Sequence, residues 1–483
     1  MESSSRLAAL LIPLCLILSI GPQSVAQNSH EQWNSAGWVD DLHLIRQTLL
    51  TKYANLQWLI DERQVDLAAL FSDIEARVRA SGNDAAARAA FDRLIRKIDD
   101  GHVALQWPNR GGQDISNRST PKDAPSLCAG AGYANKTGTT ELISLLPGYT
   151  PITTSQIFQA GTIAVDDRRV GVLRIEAFMP QQNLKVCVDA VEKLKISVGM
   201  PCDDSCKERI EEHGYARMTT ALEEDLRSMQ SLGAEALLID LTNNGGGSEW
   251  AEAVARMITG KRLISERLGY VRGSHWQKHW TELAGELRAF AKSAEPSDRA
   301  RLEAWEAEAN RAAEESSKPC SIQSDCSWLG RAGFSTGLVG SASSNEFVGK
   351  PWGKLVFSPA EFRYRDALWT KPVIVLVDQG TASAAEEFTA ILQDNRAALI
   401  VGSRTFSAGC GHTDGGTPTA LPRTGATLEV PDCARFRADG SNEVNGILPD
   451  VPIPWRSDDG VRFKARLLEV RLISLIRLAL SGG

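Results

Sequence analysis

No block of basic residues interrupts this sequence, and no second long apolar run follows the first twenty residues. The 483 residues carry 53 Lys and Arg against 60 Asp and Glu, a net charge of −7. That balance disfavours nucleic acid and anionic lipid as partners held by bulk charge. Paired C-x-x-C knuckles are missing, and His412 is the only histidine near a cysteine, so neither a structural metal nor another cofactor is expected. The long glycine patterns that hold phosphate with the help of a lysine are missing too. What remains is ordinary globular composition, 43% hydrophobic and 23% charged, with length for two or three domains.

The N-terminus reads as an address. Arg6 precedes an apolar run from Leu7 to Ile20, then Gly21, Pro22 and Ser24-Val25-Ala26. This predicts a signal peptide over 1–26, export to the periplasm or the outside, and no membrane span after cleavage. Without Cys15, eight cysteines remain, an even number that suits disulfides in an exported chain. Eight cysteines allow about 105 pairings, so connectivity stays open. Proximity favours Cys202–Cys206, Cys320–Cys326 and Cys410–Cys433, leaving Cys128 with Cys187.

Along the chain, apolar residues recur at helical spacing over 37–98: Trp38, Leu42, Ile45 and Leu49, then Leu67, Leu70, Phe71 and Ile74, then Phe91, Leu94 and Ile98. Gly101 is the expected helix terminator. Residues 108–165 read as loops and short strands. A strand is expected over 169–178 and a helix over 216–232. Two nearly all-apolar runs, 236–241 and 372–377, have the pattern of strands buried on both faces. Each leads through a turn into a helix, from about 249 and about 382, and 398–401 is a further strand. Residues 280–316 suggest a long helix or helical hairpin with a solvated face, and His275 and His279 are expected at the surface. The alternation of strands and helices gives an α/β class.

Ser383 stands just past the second buried strand, at the start of a helix. Free N–H groups and the helix dipole favour negative charge there, and the Ala384 N–H is placed to hold an oxyanion. A plain helix cap, completed by Glu386 or Glu387, would explain the same serine. The Asn244-Gly245-Gly246-Gly247 turn after the first buried strand is a candidate for the second oxyanion donor, through Gly245 or Gly246, although a tight turn alone would call for glycine.

In order along the chain, Asp100-Gly-His-Val-Ala-Leu105, Val170–Phe178, Leu238–Gly247, Thr381–Phe388 with Leu392–Asn395, Val401–Ser407 and Gly446–Asp450 resemble the C-terminal processing (tail-specific) and tricorn-core serine proteases. The resemblance covers about half the mature chain; 108–165, 180–215 and 262–365 have no counterpart. It implies a spiral, crotonase-like α/β core with an N-terminal helical domain and a helical insertion. The implied division is 1–26 signal peptide, 27–107 helical domain, 108–165 linker without a PDZ module, 166–261 first core part, 262–365 insertion and 366–483 second core part. It also implies that Ser383 is the nucleophile of a peptidase acting on peptides or unfolded chain ends. The better-known branch has a lysine base where this chain has Ala408, whose methyl group takes no proton. His102 then becomes the expected base, as in the tricorn-like branch, with His412 its rival. Glu443 is expected to orient the imidazole. The serine that precedes the tricorn histidine is replaced by Gly101. Asp394 lies about 16 Å along the helix from Ser383 and is expected to be structural. A ligand-binding protein on the same scaffold, as in the interphotoreceptor retinoid-binding proteins, or a serine esterase, are the alternatives.

Overall fold

The two all-apolar runs become neighbours at the centre of a seven-stranded sheet in the computed structural model of the chain. The structure describes residues 33–108, 120–135, 142–318, 320–321, 324–413 and 415–481; the expected signal peptide lies outside them. Across the sheet the strands run Val451–Pro452, Leu399–Gly402, Val373–Val377, Ala236–Asp240, Arg168–Arg174, Gln159–Val165 and Thr150–Pro151. The first five are mutually parallel, and the last two turn back antiparallel. Parallel strands need cover on both faces, which is why the central runs carry no polar alternation. Helices Asp204–Ser231, Trp250–Met257 and Ala384–Asp394 close one face, and Val461–Ser481 closes the other. The mixed α/β class expected above is the one observed.

The N-terminal helices are Ala36–Lys52, Leu67–Arg79 and Asp84–Ile98. Asp66 and Asn83 cap the second and third, accepting from the N–H groups of Ala69 and Ala86 at 2.9 Å. The third helix ends on Asp99 at φ 56°, two residues before the expected Gly101. An aspartate tolerates the left-handed region better than most side chains, so no glycine was needed there. The apolar faces of these helices pack on Leu421, Leu428, Val430 and Val444 near the other end of the chain.

Two regions differ from the sequence reading. Residues 108–165 include the helix Ala124–Gly130 and a full strand, Gln159–Val165, hydrogen-bonded along its length to Arg168–Arg174. The helical hairpin Ser274–Ala291 and Pro296–Ser316 is not merely a solvated decoration. Trp276, Trp280, Ala284, Leu287 and Ala291 form an apolar stripe on its first helix, and it buries Tyr270, Leu302, Trp352 and Phe357 with them. The charge of the second helix masks this period in the composition.

All four disulfides suggested by proximity are present: Cys128–Cys187, Cys202–Cys206, Cys320–Cys326 and Cys410–Cys433. Among the described residues no helix is long and apolar enough to cross a membrane.

Candidate active site

Because Ala236–Asp240 and Val373–Val377 are adjacent and parallel, the turns that follow them meet at the carboxyl end of the sheet, the usual ligand position in such sheets. Asp378 joins them. Its carboxylate accepts from the N–H groups of Asn243 (2.7 Å) and Gly380 (3.0 Å) and pairs with Lys464 at 2.7 Å. The Ala382 N–H donates to the Asn244 carbonyl at 2.9 Å. Gly246 presses directly on the serine turn: a Cβ there would lie 2.7 Å from the Ala382 carbonyl oxygen and 2.8 Å from Ser383 Cβ. Its φ of +100° calls for glycine as well.

Ser383 caps the helix Ala384–Asp394, yet its φ of 55° and ψ of −121° are no ordinary cap conformation. A non-glycine residue there stores about 1–3 kcal/mol, and such strain collects at functional sites. Glu386 holds the turn in place. One carboxylate oxygen accepts from the Ser383 N–H (3.0 Å) and the Ala408 N–H (2.8 Å), the other from the Ser407 N–H (2.8 Å) and the Thr405 hydroxyl (2.5 Å). The helix-cap reading and the nucleophile reading are thus both served, since Glu386 caps the helix while it clamps the Thr405–Ala408 segment to the serine. Burial, then Glu443, raises the Glu386 pKa to about 7, against the pull of these donors.

The same segment carries Asp100-Gly101-His102. The Gly101 N–H donates to the Ser407 carbonyl at 2.9 Å. A Cβ at Gly101 would lie 2.6 Å from both Ala408 Cβ and Phe406 Cε1. The side chain that replaces lysine therefore occupies the space a serine before the histidine would need, and the two departures from the relatives' pattern fit one another. Asp100 fixes the loop: Tyr53 Oη (2.9 Å) and Asn55 Nδ2 (2.8 Å) donate to one oxygen, and the His102 N–H (2.9 Å) to the other.

Ser383 and His102 open on one cavity of about 700 Å³. His102 Nδ1 lies 3.1 Å from the Cys410 carbonyl oxygen. That oxygen can only accept, so Nδ1 carries the proton and Nε2 is left with its lone pair. Burial, with Arg435 second, lowers the His102 pKa to about 4, although the Cys410 carbonyl and Glu443 work the other way. The imidazole is neutral at pH 7, as a general base must be.

Glu443 is fully buried but does not hold the ring. It is hydrogen-bonded to Arg435 through both oxygens, to Nη2 at 3.0 Å and to Nε. Its effect on His102 is through charge alone, because Nδ1 is already taken by Cys410. Arg435 was not singled out in the sequence, where one arginine in a short strand carries no signal. It pairs with Glu387 at 3.0 Å and donates to the carbonyls of Ser383 (3.4 Å) and Gly409 (3.2 Å), joining the serine turn to the loop that holds His102.

The oxyanion candidates divide. The Ala384 N–H begins the helix and has no carbonyl partner among the described residues. Gly246 is not available, because its N–H donates to Asn244 Oδ1 at 2.9 Å. Gly245 and Gly247 are both solvent-exposed, but of the two it is Gly247, the residue after Gly246, that lines the cavity. His412 lines it too, exposed at the rim. His279 is a wall residue, its pKa lowered by burial, and His275 lies 3.4 Å from the buried Asp432. His279 keeps the expected exposed position, on the wall of the cleft, whereas His275 is only partly exposed and turned toward Asp432. Asp394 pairs with Arg437 and accepts from the Ala438 N–H at 2.9 Å, away from the cavity.

Comparison with known proteins bears on this arrangement. The family model of peptidase family S41 matches residues 169–453. A carboxyl-terminal-processing protease of Synechocystis is 50% identical over 44 residues, 9% of this chain and 10% of that protein. Its namesake in Picosynechococcus is 36% identical over 85 residues, 17% and 19% respectively. The chain thus spans a fifth or less of these curated relatives' length. Among solved structures, mature CPAF complexed with lactacystin superposes with a TM-score of 0.58 at 16% identity, over 93% of this chain and 99% of that one, a likeness of fold. From the strand Arg168–Arg174 through the Ser383 turn to Val451–Pro452, the chain belongs to peptidase family S41.

Proposed function

We propose that the protein is an exported serine peptidase that cleaves peptides or unfolded chain ends in the periplasm or outside the cell. The observation that carries the reading is a strained Ser383 at a helix N-terminus facing the same cavity as a neutral, tautomer-fixed His102. His102 Nε2 takes the hydroxyl proton as Ser383 Oγ attacks the scissile carbonyl, then returns it to the leaving amine. Water, activated by the same nitrogen, releases the acyl group and restores the serine. The Ala384 N–H, with Gly247 in place of Gly246, supports the oxyanion. Glu443 acts through Arg435, as a positioning residue. Trp276, Trp280, Leu268, Phe334 and Leu355 on the cavity wall suit apolar substrate side chains. The four disulfides support export.

A fluorophosphonate probe tests the reading. It is expected to modify the folded protein once, with the mass increment mapping to the peptide that contains Ser383. Labelling elsewhere, or none, would favour a ligand-binding protein; labelling with hydrolysis of esters but not peptides would favour an esterase.

Gly101→Ser tests the fit between the two departures. The new side chain meets Ala408 and Phe406, so the His102 loop must shift. Peptidase activity is expected to fall about 100-fold, the scale of a displacement near 1 Å at a catalytic group. Equal activity would show that the loop accommodates serine.

A further inference from the structure

The base is held by a backbone carbonyl, and that carbonyl belongs to a disulfide-bonded cysteine. We infer that the Cys410–Cys433 bridge is a positioning element of the active site, fixing the Cys410 carbonyl that selects the His102 tautomer. This rests on the assignment of His102 as the base and names a control on it.

The segment around Cys410 has no regular secondary structure from Arg404 to Thr413. Its other attachments are hydrogen bonds to flanking residues. The Gly409 carbonyl accepts from Arg435 at 3.2 Å, the Gly411 carbonyl accepts from the Asp432 N–H at 3.2 Å, and the Thr413 N–H donates to Asp432 at 2.9 Å. Cys410 itself is tied by its sulfur to Cys433, the first residue of the strand Cys433–Phe436, which pairs with Arg267–Val271. The covalent bond thus connects the residue that touches the imidazole to a sheet, two residues from Arg435. Both cysteines line the cavity beside His102. The other three bridges have no residue on that cavity. Without the bridge, the carbonyl is free to turn from Nδ1, the ring can exchange tautomers or rotate, and water gains access to it. Because the flanking hydrogen bonds remain, the site should loosen while the fold persists.

The test reads the imidazole directly, so it holds whether or not the protein proves to be a peptidase. Histidine ring carbons are followed by NMR from pH 3.5 to 8 in the wild type, in Cys410→Ser/Cys433→Ser, and in Cys202→Ser/Cys206→Ser as a control. The His102 resonance is assigned by its loss in His102→Gln. Arg435, Glu443, Glu387, His412 and Asp100 are the charged or titratable groups around the ring, and all are retained. The wild type and the control are expected to titrate His102 near the depressed value of about 4. In the Cys410/Cys433 variant the loss of the carbonyl bond lowers the midpoint, but hydration of the ring removes burial, the largest cause of the depression, and outweighs it; the midpoint is expected to rise toward about 6.5, with fluorophosphonate labelling slowed about tenfold. An unchanged midpoint in that variant, or an equal change in the control, overturns the inference. If the double variant does not fold, the same midpoint is read on wild type after limited reduction, with the opened bridge identified by alkylation. A midpoint that does not follow the opening of Cys410–Cys433 likewise overturns it. Failure of the probe to label wild type would remove the peptidase reading and leave the NMR result standing.

Discussion

Ser383→Ala is expected to abolish fluorophosphonate labelling and to reduce peptide hydrolysis by about four orders of magnitude or more. The size of the effect follows from the chemistry, since the variant has no atom to form the acyl bond. The fold should survive, because Ser383 is held through its main chain: Glu386 accepts from its N–H, and its carbonyl accepts from the Glu386 and Glu387 N–H groups. The φ of 55° disfavours alanine no less than serine, so the melting temperature should change little. An alanine variant that labels and cleaves like wild type would place the nucleophile elsewhere.

His102→Ala should cost about 10³ to 10⁴ in kcat, with a smaller change in KM, while His412→Ala should retain most of the rate. Among the histidines of the described residues, His102 is the one with a ring nitrogen committed to a backbone carbonyl. His412 is exposed at the mouth of the cleft. The reverse pattern would assign the base to His412. The pH profile gives a second check. A base acts only when deprotonated, so activity falls as pH falls through its pKa. Burial and the Arg435 charge put that pKa at about 4, below the usual 6.5, although Glu443 pulls the other way and His412 adds to the depression. The acid limb of kcat/KM is therefore expected near pH 4. In Arg435→Gln, with the guanidinium gone and Glu443 left behind, the limb should move to higher pH. An acid limb near 6.5 in wild type would mean that His102 is hydrated and unshifted.

The sequence carried the centre of the molecule well. Two all-apolar runs ending in turns announced buried strands, while their adjacency, and the close approach of Gly246 to Ser383, came only from the strand pairing. His102 was legible only by likeness to relatives, since nothing local distinguishes it from a loop histidine. Gly246 shows the limit of reading a glycine turn as a donor set: its N–H is consumed by Asn244, a contact that spacing does not reveal. Glu443 and Arg435 were hard to read for a related reason. Their partners lie on other elements, and a buried ion pair leaves no periodic trace. The helical hairpin was legible over 280–316, but its buried side was not, because charge dominates the composition and the stripe through Trp276 and Trp280 lies on one helix of two.

The distribution of the site along the chain sets a schedule. The proposed base stands at 102, the proposed nucleophile at 383, and the arginine and glutamate beneath them at 435 and 443. Synthesis proceeds from the N-terminus and early segments fold as they emerge. A growing chain can therefore present a histidine without its serine, and then a serine whose turn is not yet tied to Arg435, but not a finished centre. Competence arrives only after nine-tenths of the polypeptide exists. On the proposed assignment, an unfinished copy of the chain carries no complete catalytic centre.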